Sequence, residues 1–289
     1  MKYGICLTPI YPAAINDITV MSQVIEKTKK QKLFNCAEIY FEGSKEEENT
    51  IRKMLEDTGL DTVYLGGLPI KRDGIDISSG DEAERKKSVD KCKGHIDHAV
   101  RMGCVRIVVA SGPDRKNDKD KKCIAEQMRK SLEELDIYCR GSRLEVSVEP
   151  FPVRTDPYLA VGETKLVQDI FKDSSFRNVG ITFDTSHFSQ LGEDIEESFQ
   201  SLKPWIHHMH LANCVMRDKT SPLYGDTHPA FSQKDGDFSI ETIHDFYQRM
   251  KSKGALKEVD ICSLEIVSRG NENRYYDEAC REAKMIWEL

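Results

Sequence analysis

The feature that most restricts how this chain can fold is a rhythm, in which short apolar runs alternate with longer helical stretches eight times from end to end. The runs are residues 2–7 (KYGICL), 36–41 (CAEIYF), 61–66 (DTVYLG), 105–110 (VRIVVA), 144–149 (LEVSVE), 179–184 (VGITFD), 206–212 (IHHMHLA) and 260–266 (DICSLEI). Most are rich in Val and Ile, as expected of strands covered on both faces of a parallel sheet. Between them, Ser44 with Glu47 and Asp81 with Glu84 have the spacing of reciprocal helix caps. Gly59, Gly103, Gly141 and Gly254 stand where helices end in a left-handed residue, and Ile124, Met128, Leu132 and Leu135 form one core-facing stripe.

Strict alternation implies right-handed crossovers, and eight such units can close on themselves. The expectation is an α/β chain folded as one (β/α)₈ TIM barrel over residues 1–289, somewhat longer than the usual size of about 250 residues. No GxGxxG or GxxxxGK[ST] follows a strand, which removes the signature of an open nucleotide-binding sheet, and no organic cofactor is expected. The Gly66-Gly67 pair reads as a turn. The longest irregular stretch, 213–238, follows the seventh strand, where a barrel displays its working loops.

Composition narrows the partners. Acidic residues outnumber basic ones, 49 to 42, and a net charge of −7 argues against a broad nucleic-acid footprint. The lysine-rich runs at 27–32 and 116–122 read as solvated helix faces. Nine cysteines form no CxxC pair and an odd number cannot all pair internally, so they read as reduced thiols. Cys6, Cys36, Cys104 and Cys262 fall inside strands and read as packing residues. Pro9 and Pro12 interrupt the first apolar stretch, which is too brief for a signal core or a membrane span, so a cytoplasmic protein without membrane contact is the expectation.

Four expected strands end in a residue able to bind a hard or borderline cation: Glu149, Asp184, His210 and Glu265. All strand C-termini of a barrel open on one mouth, so residues far apart in sequence converge there. Three buried carboxylates beside an imidazole repel one another, and a divalent ion resolves the conflict. Oxygen and imidazole donors without thiolates suit Mn²⁺, placed first, or Mg²⁺, Co²⁺ or Zn²⁺. His208 shares a face with His210 and reads as packing beneath the metal or orienting one of its ligands, whereas His207 alternates to the helix-facing side. Glu38 is a weaker candidate for the mouth.

The segments SVEPF, ITFDTSH, HMHLAN and SLEIVS resemble the successive motifs of the xylose-isomerase-like barrel superfamily, which includes ketose 3-epimerases, inosose dehydratases and apurinic-site endonucleases. The resemblance implies a metal held by Glu149, Asp184, His210 and Glu265, with His187 facing the substrate or a further metal. For the endonucleases it also implies a second metal position from His187, Asp226 and His228. Where those enzymes place histidines after the third and fourth strands, this chain has LGGLP and ASGPD, so a trinuclear cluster cannot be completed.

The leading expectation is a metal-dependent isomerase or epimerase acting on a small sugar or polyol-derived carbonyl compound through an enediolate, with Glu149 and Glu265 as its catalytic carboxylates. Arg217 and Arg154 are candidates for binding substrate hydroxyl or carboxylate groups. A lyase or dehydratase of keto-inositols or keto-glycosides is the nearest alternative, and abasic-site cleavage ranks below both. The expected partner is a small carbohydrate, with a homo-oligomer possible and nucleic acid disfavoured.

Overall fold

A computed structural model describes residues 1–114, 120–153, 155 and 158–289. Strands β1 (Lys2–Cys6), β2 (Cys36–Ile39), β3 (Asp61–Leu65), β4 (Arg106–Val109), β5 (Glu145–Val148), β6 (Val179–Asp184), β7 (Ile206–Ala212) and β8 (Ile261–Glu265) form a closed barrel in sequence order. Every neighbouring pair is parallel, and β1 returns to β8 through Lys2 opposite Ile261. The crossovers run through α1 (Ile18–Gln31), α2 (Lys45–Thr58), α3 (Glu82–Arg101), α4 (Lys121–Cys139), α5 (Thr164–Phe171), α6 (Ile195–Leu202), α7 (Ile240–Ser252) and α8 (Glu272–Trp287). The (β/α)₈ architecture is therefore the one the alternation calls for. Among the described residues, no helix is long and apolar enough to cross a membrane.

Local chemistry explains the helix ends. Ser44 and Glu47 make both bonds of a capping box at α2. Asp81 caps α3 by accepting from the Ala83 and Glu84 amides, but its own amide goes to Ser79 Oγ, so the expected return bond from Glu84 is not made. Gly59, Gly103 and Gly254 adopt the left-handed conformation, whereas Gly141 does not. There the chain leaves α4 through a turn in which the Ser142 amide donates to Cys139 O.

The main core lies between sheet and helices, where Ile5, Ile39, Ile107, Ile181, Met209 and Leu264 point outward from their strands. Each such side chain stabilises the fold by about 1.5–3 kcal/mol. The stripe Ile124, Met128, Leu132 and Leu135 is buried in this core. Inside the barrel a small apolar layer of Cys36, Val63, Val108 and Ile261 separates two polar ones. Below it, at the N-terminal end, Arg106 donates to Asp260 and pairs with Glu145. Above it are Glu38, Ser147, Thr182 and His208, all buried, and then the mouth.

The strand alternation breaks once, at the N-terminal start of β7. Pairing of β6 with β7 shifts by one residue between Ile181 and Thr182, so that Ile181 faces Ile206 while Thr182 faces His208. His207 is the extra residue, half-buried, with its ring against Gly180. Simple alternation, which turns His207 toward the helices, does not allow for this bulge.

Candidate metal centre

Each of the four carboxylate or imidazole groups at the mouth is aimed by its strand. Asp184 ends β6 and caps the short helix Thr185–Leu191, its Oδ1 accepting from the Ser186 amide at 2.7 Å, Ser186 Oγ at 2.6 Å and the His187 amide at 3.2 Å. That capping leaves Oδ2 free to face the axis. Glu149 follows β5, His210 lies on β7 and Glu265 ends β8. His210 Nδ1 sits 3.0 Å from Glu149 Oε1, 2.8 Å from Glu265 Oε2 and 3.9 Å from Asp184 Oδ2. One ligand atom from each of the four lies within 4.8 Å of the others.

A single imidazole nitrogen cannot satisfy three carboxylates. Asp184 Oδ2 accordingly has no hydrogen-bond partner although it is sealed from solvent, an arrangement that costs about 1–3 kcal/mol or more for a charged group. The donor set fits a divalent cation, which would satisfy that oxygen and neutralise the crowded acids. The electrostatics show the crowding. Burial pushes the Glu149 carboxyl up, against the pull of His210 and His187. Burial also opposes ionisation of Glu265, but His228 and His210 outweigh it and hold that carboxyl well below the usual carboxylate range. For His210, burial disfavours the proton while Cys6, Glu38, Glu149 and Glu265 outweigh it and raise the imidazole well above its ordinary value.

Beside this set, Asp184, His187 and His228 also bring ligand atoms within 4.8 Å of one another. His187 Nδ1 donates to Pro150 O at 2.9 Å, which leaves Nε2 facing Asp226 Oδ1 at 3.3 Å without a hydrogen bond. His228 Nε2 is 2.9 Å from Asp226 Oδ1, and its orphaned Nδ1 is 3.4 Å from Glu265 Oε1. His228 holds a left-handed backbone, φ 39°, uncommon for a residue with a side chain. Burial lowers His187, but Asp184, Asp226 and Glu149 outweigh it and lift the imidazole to about 9.

Arg217 does not join the site. Its side chain is 76% exposed and donates to Asp237 O. Arg154 lies outside the described residues. Gly66 opens the short helix Gly67–Arg72, so the expected turn continues into a helix. A Cβ there would come 2.3 Å from Val108 O, which leaves no room for a third-strand histidine.

Some neighbours escape a reading of strand ends. Gln190 donates to Asp226 Oδ1 and accepts from Thr155 Oγ1, both at 2.7 Å, and so anchors the loop carboxylate. Phe151 packs its ring 4.3 Å from that of His187. Cys6 is buried as expected, yet its sulfur is 3.9 Å from His210 Nε2.

The family model described as xylose isomerase-like TIM barrel matches residues 27–284. The chain belongs to that family. No curated protein sequence matches it. Among solved structures, a D-tagatose 3-epimerase-like protein is similar over 100% of this chain and 99% of its own, with a TM-score of 0.74 and 18% identity. The 3-keto-D-glucoside 4-epimerase YcjR from E. coli aligns over 100% of both chains at TM-score 0.70 and 12% identity. The probable 3-DHS dehydratase AsbF from Bacillus anthracis aligns over 99% of both at TM-score 0.65 and 18% identity. At these identities the likeness carries the fold of the family and leaves the reaction to the site.

Proposed function

We propose that this member of the family is a divalent-metal-dependent isomerase or epimerase of a small sugar or polyol-derived carbonyl compound. The observation that carries the reading is the pair of glutamates, Glu149 and Glu265, both within 3.0 Å of His210 Nδ1, together with the orphaned Asp184 oxygen. Glu149, Asp184, His210 and Glu265 would hold the cation. When bound, it supplies Lewis acidity that stabilises enediolate charge by several kcal/mol. Each glutamate has a second oxygen for proton work. One carboxylate removes the proton next to the substrate carbonyl and keeps it, and the other, starting as the protonated acid, delivers its own solvent-exchangeable proton to the opposite face. His187 and His228, flanking the same mouth, bind substrate hydroxyls or a second cation.

The same abstraction followed by loss of a leaving group makes a lyase, an alternative supported by the similarity to the probable 3-DHS dehydratase AsbF. Abasic-site cleavage is disfavoured by Gly66, which cannot be replaced by a ligand side chain without moving the backbone of β4.

Metal-loaded protein incubated in D₂O with ketoses, inososes and keto-glycosides is expected to place deuterium on the carbon next to the carbonyl. Epimerisation conserves mass apart from the label, whereas elimination releases a leaving group. Glu149→Gln and Glu265→Gln should each slow exchange by about 10²-fold or more. Elemental analysis of protein purified without chelator is expected to find a divalent ion that is absent after His210→Ala. Wild-type protein that neither carries nor takes up such an ion refutes the reading.

A further inference from the structure

The residues gathered at the mouth come from the β5–β8 half of the barrel, yet the imidazole among them is gripped from the opposite wall. Glu38 on β2 is fully enclosed. Its Oε1 is 2.8 Å from His208 Nε2 and its Oε2 is 3.1 Å from His210 Nε2. Behind His208, Nδ1 is 3.1 Å from Thr182 Oγ1, which is 2.6 Å from Ser147 Oγ. A polar chain thus crosses the barrel interior from β5 to β2 and returns to the mouth through His210.

An ionised carboxylate only accepts, so each Nε2 that faces Glu38 carries the hydrogen. A neutral imidazole protonated at Nε2 keeps its lone pair on Nδ1. For His210, Nδ1 is the atom that faces Glu149, Asp184 and Glu265.

We propose that Glu38 is a positioning residue, whose two oxygens lock His208 and His210 as Nε2–H tautomers and thereby present the His210 Nδ1 lone pair to a divalent cation at the mouth. The inference rests on the metal reading above and adds a residue that does not itself reach the cation. A carboxylate accepting from the far nitrogen also makes the near one a stronger donor. The Cys6 thiol, 3.9 Å from His210 Nε2, is too weak a partner to take over this role.

Glutamine at position 38 preserves the volume and breaks the logic. Its one carbonyl oxygen accepts from one imidazole, while its amide donates to the other and drives that ring's hydrogen to Nδ1. A role in packing alone would survive the substitution.

Long-range ¹H–¹⁵N correlation spectra of ¹⁵N-labelled wild type test the lock without any variant. His208 is expected with its hydrogen on Nε2, facing Glu38 Oε1, and none on Nδ1 in metal-free protein. His210 is expected with hydrogen on Nε2 and none on Nδ1 when Zn²⁺ is bound. Calorimetric titration with Mn²⁺ is expected to show about 10–100-fold weaker binding for Glu38→Gln than for wild type. An Nδ1–H tautomer at His208 overturns the lock. So does a folded Glu38→Gln protein that binds Mn²⁺ as tightly as wild type. Wild type that binds neither Zn²⁺ nor Mn²⁺ overturns the metal reading instead, and the His208 spectrum tells the two failures apart.

Discussion

His187, His210 and His228 hold protons more tightly in the folded metal-free protein than in the unfolded chain, and this sets a pH signature. For His187 the value rises from 6.5 to about 9. A raised value contributes stability that is fully present below the unfolded value and disappears as pH climbs through the folded one. Thermal melts of chelator-treated protein should therefore fall in midpoint between about pH 6.5 and 9, and His187→Gln should flatten that slope. A midpoint constant across this window contradicts the buried cluster. At this scale the sequence was informative where a residue closes a strand, since strand C-termini share a mouth. It marked Glu38 only as a weaker candidate for the mouth: the residue sits mid-strand in phase with Cys36 and so belongs to the interior, but nothing in CAEI names its partners on β7. Arg217 was attractive because it follows His210 closely in sequence, but an irregular segment carries no rule for direction.

Secondary-structure elements were the most readable level, because caps and apolar runs are local. The bulge at His207 was not, because it arises from how two strands pair and not from either strand alone. Close approaches between elements are similarly invisible in one dimension. Gly66 looks like an ordinary turn glycine, yet β3 and β4 leave no space for a side chain there. Gly66→Ala should destabilise the protein by about 1–3 kcal/mol, read as a lower urea midpoint with unchanged slope, since the clash is with backbone and cannot be relieved by a rotamer change. An unaffected midpoint would mean that the loop after β3 has slack.

For the whole molecule, closure of the sheet turns sequence separation into contact, and the convergence of Glu149, Asp184, His210 and Glu265 follows from eight repeats of one pattern. A site that stores carboxylate repulsion is a load on folding that a bound ion relieves. A divalent cation at about 100 times its dissociation constant should stabilise the protein by about 2.7 kcal/mol, seen as a rise in melting temperature that chelation reverses. Equal melting with and without the ion would separate the cluster from cation binding.

The acids and imidazole at the mouth are carried by β5 to β8, while β1, β3 and β4 end there in other kinds of residue. On the proposed function, one side of the rim is thereby committed to reactivity and the other is available for rewriting. Libraries confined to the segments after β1, β3 and β4 would sample new selectivities on an intact reaction apparatus, whereas equal diversity after β6 or β8 would mostly discard it.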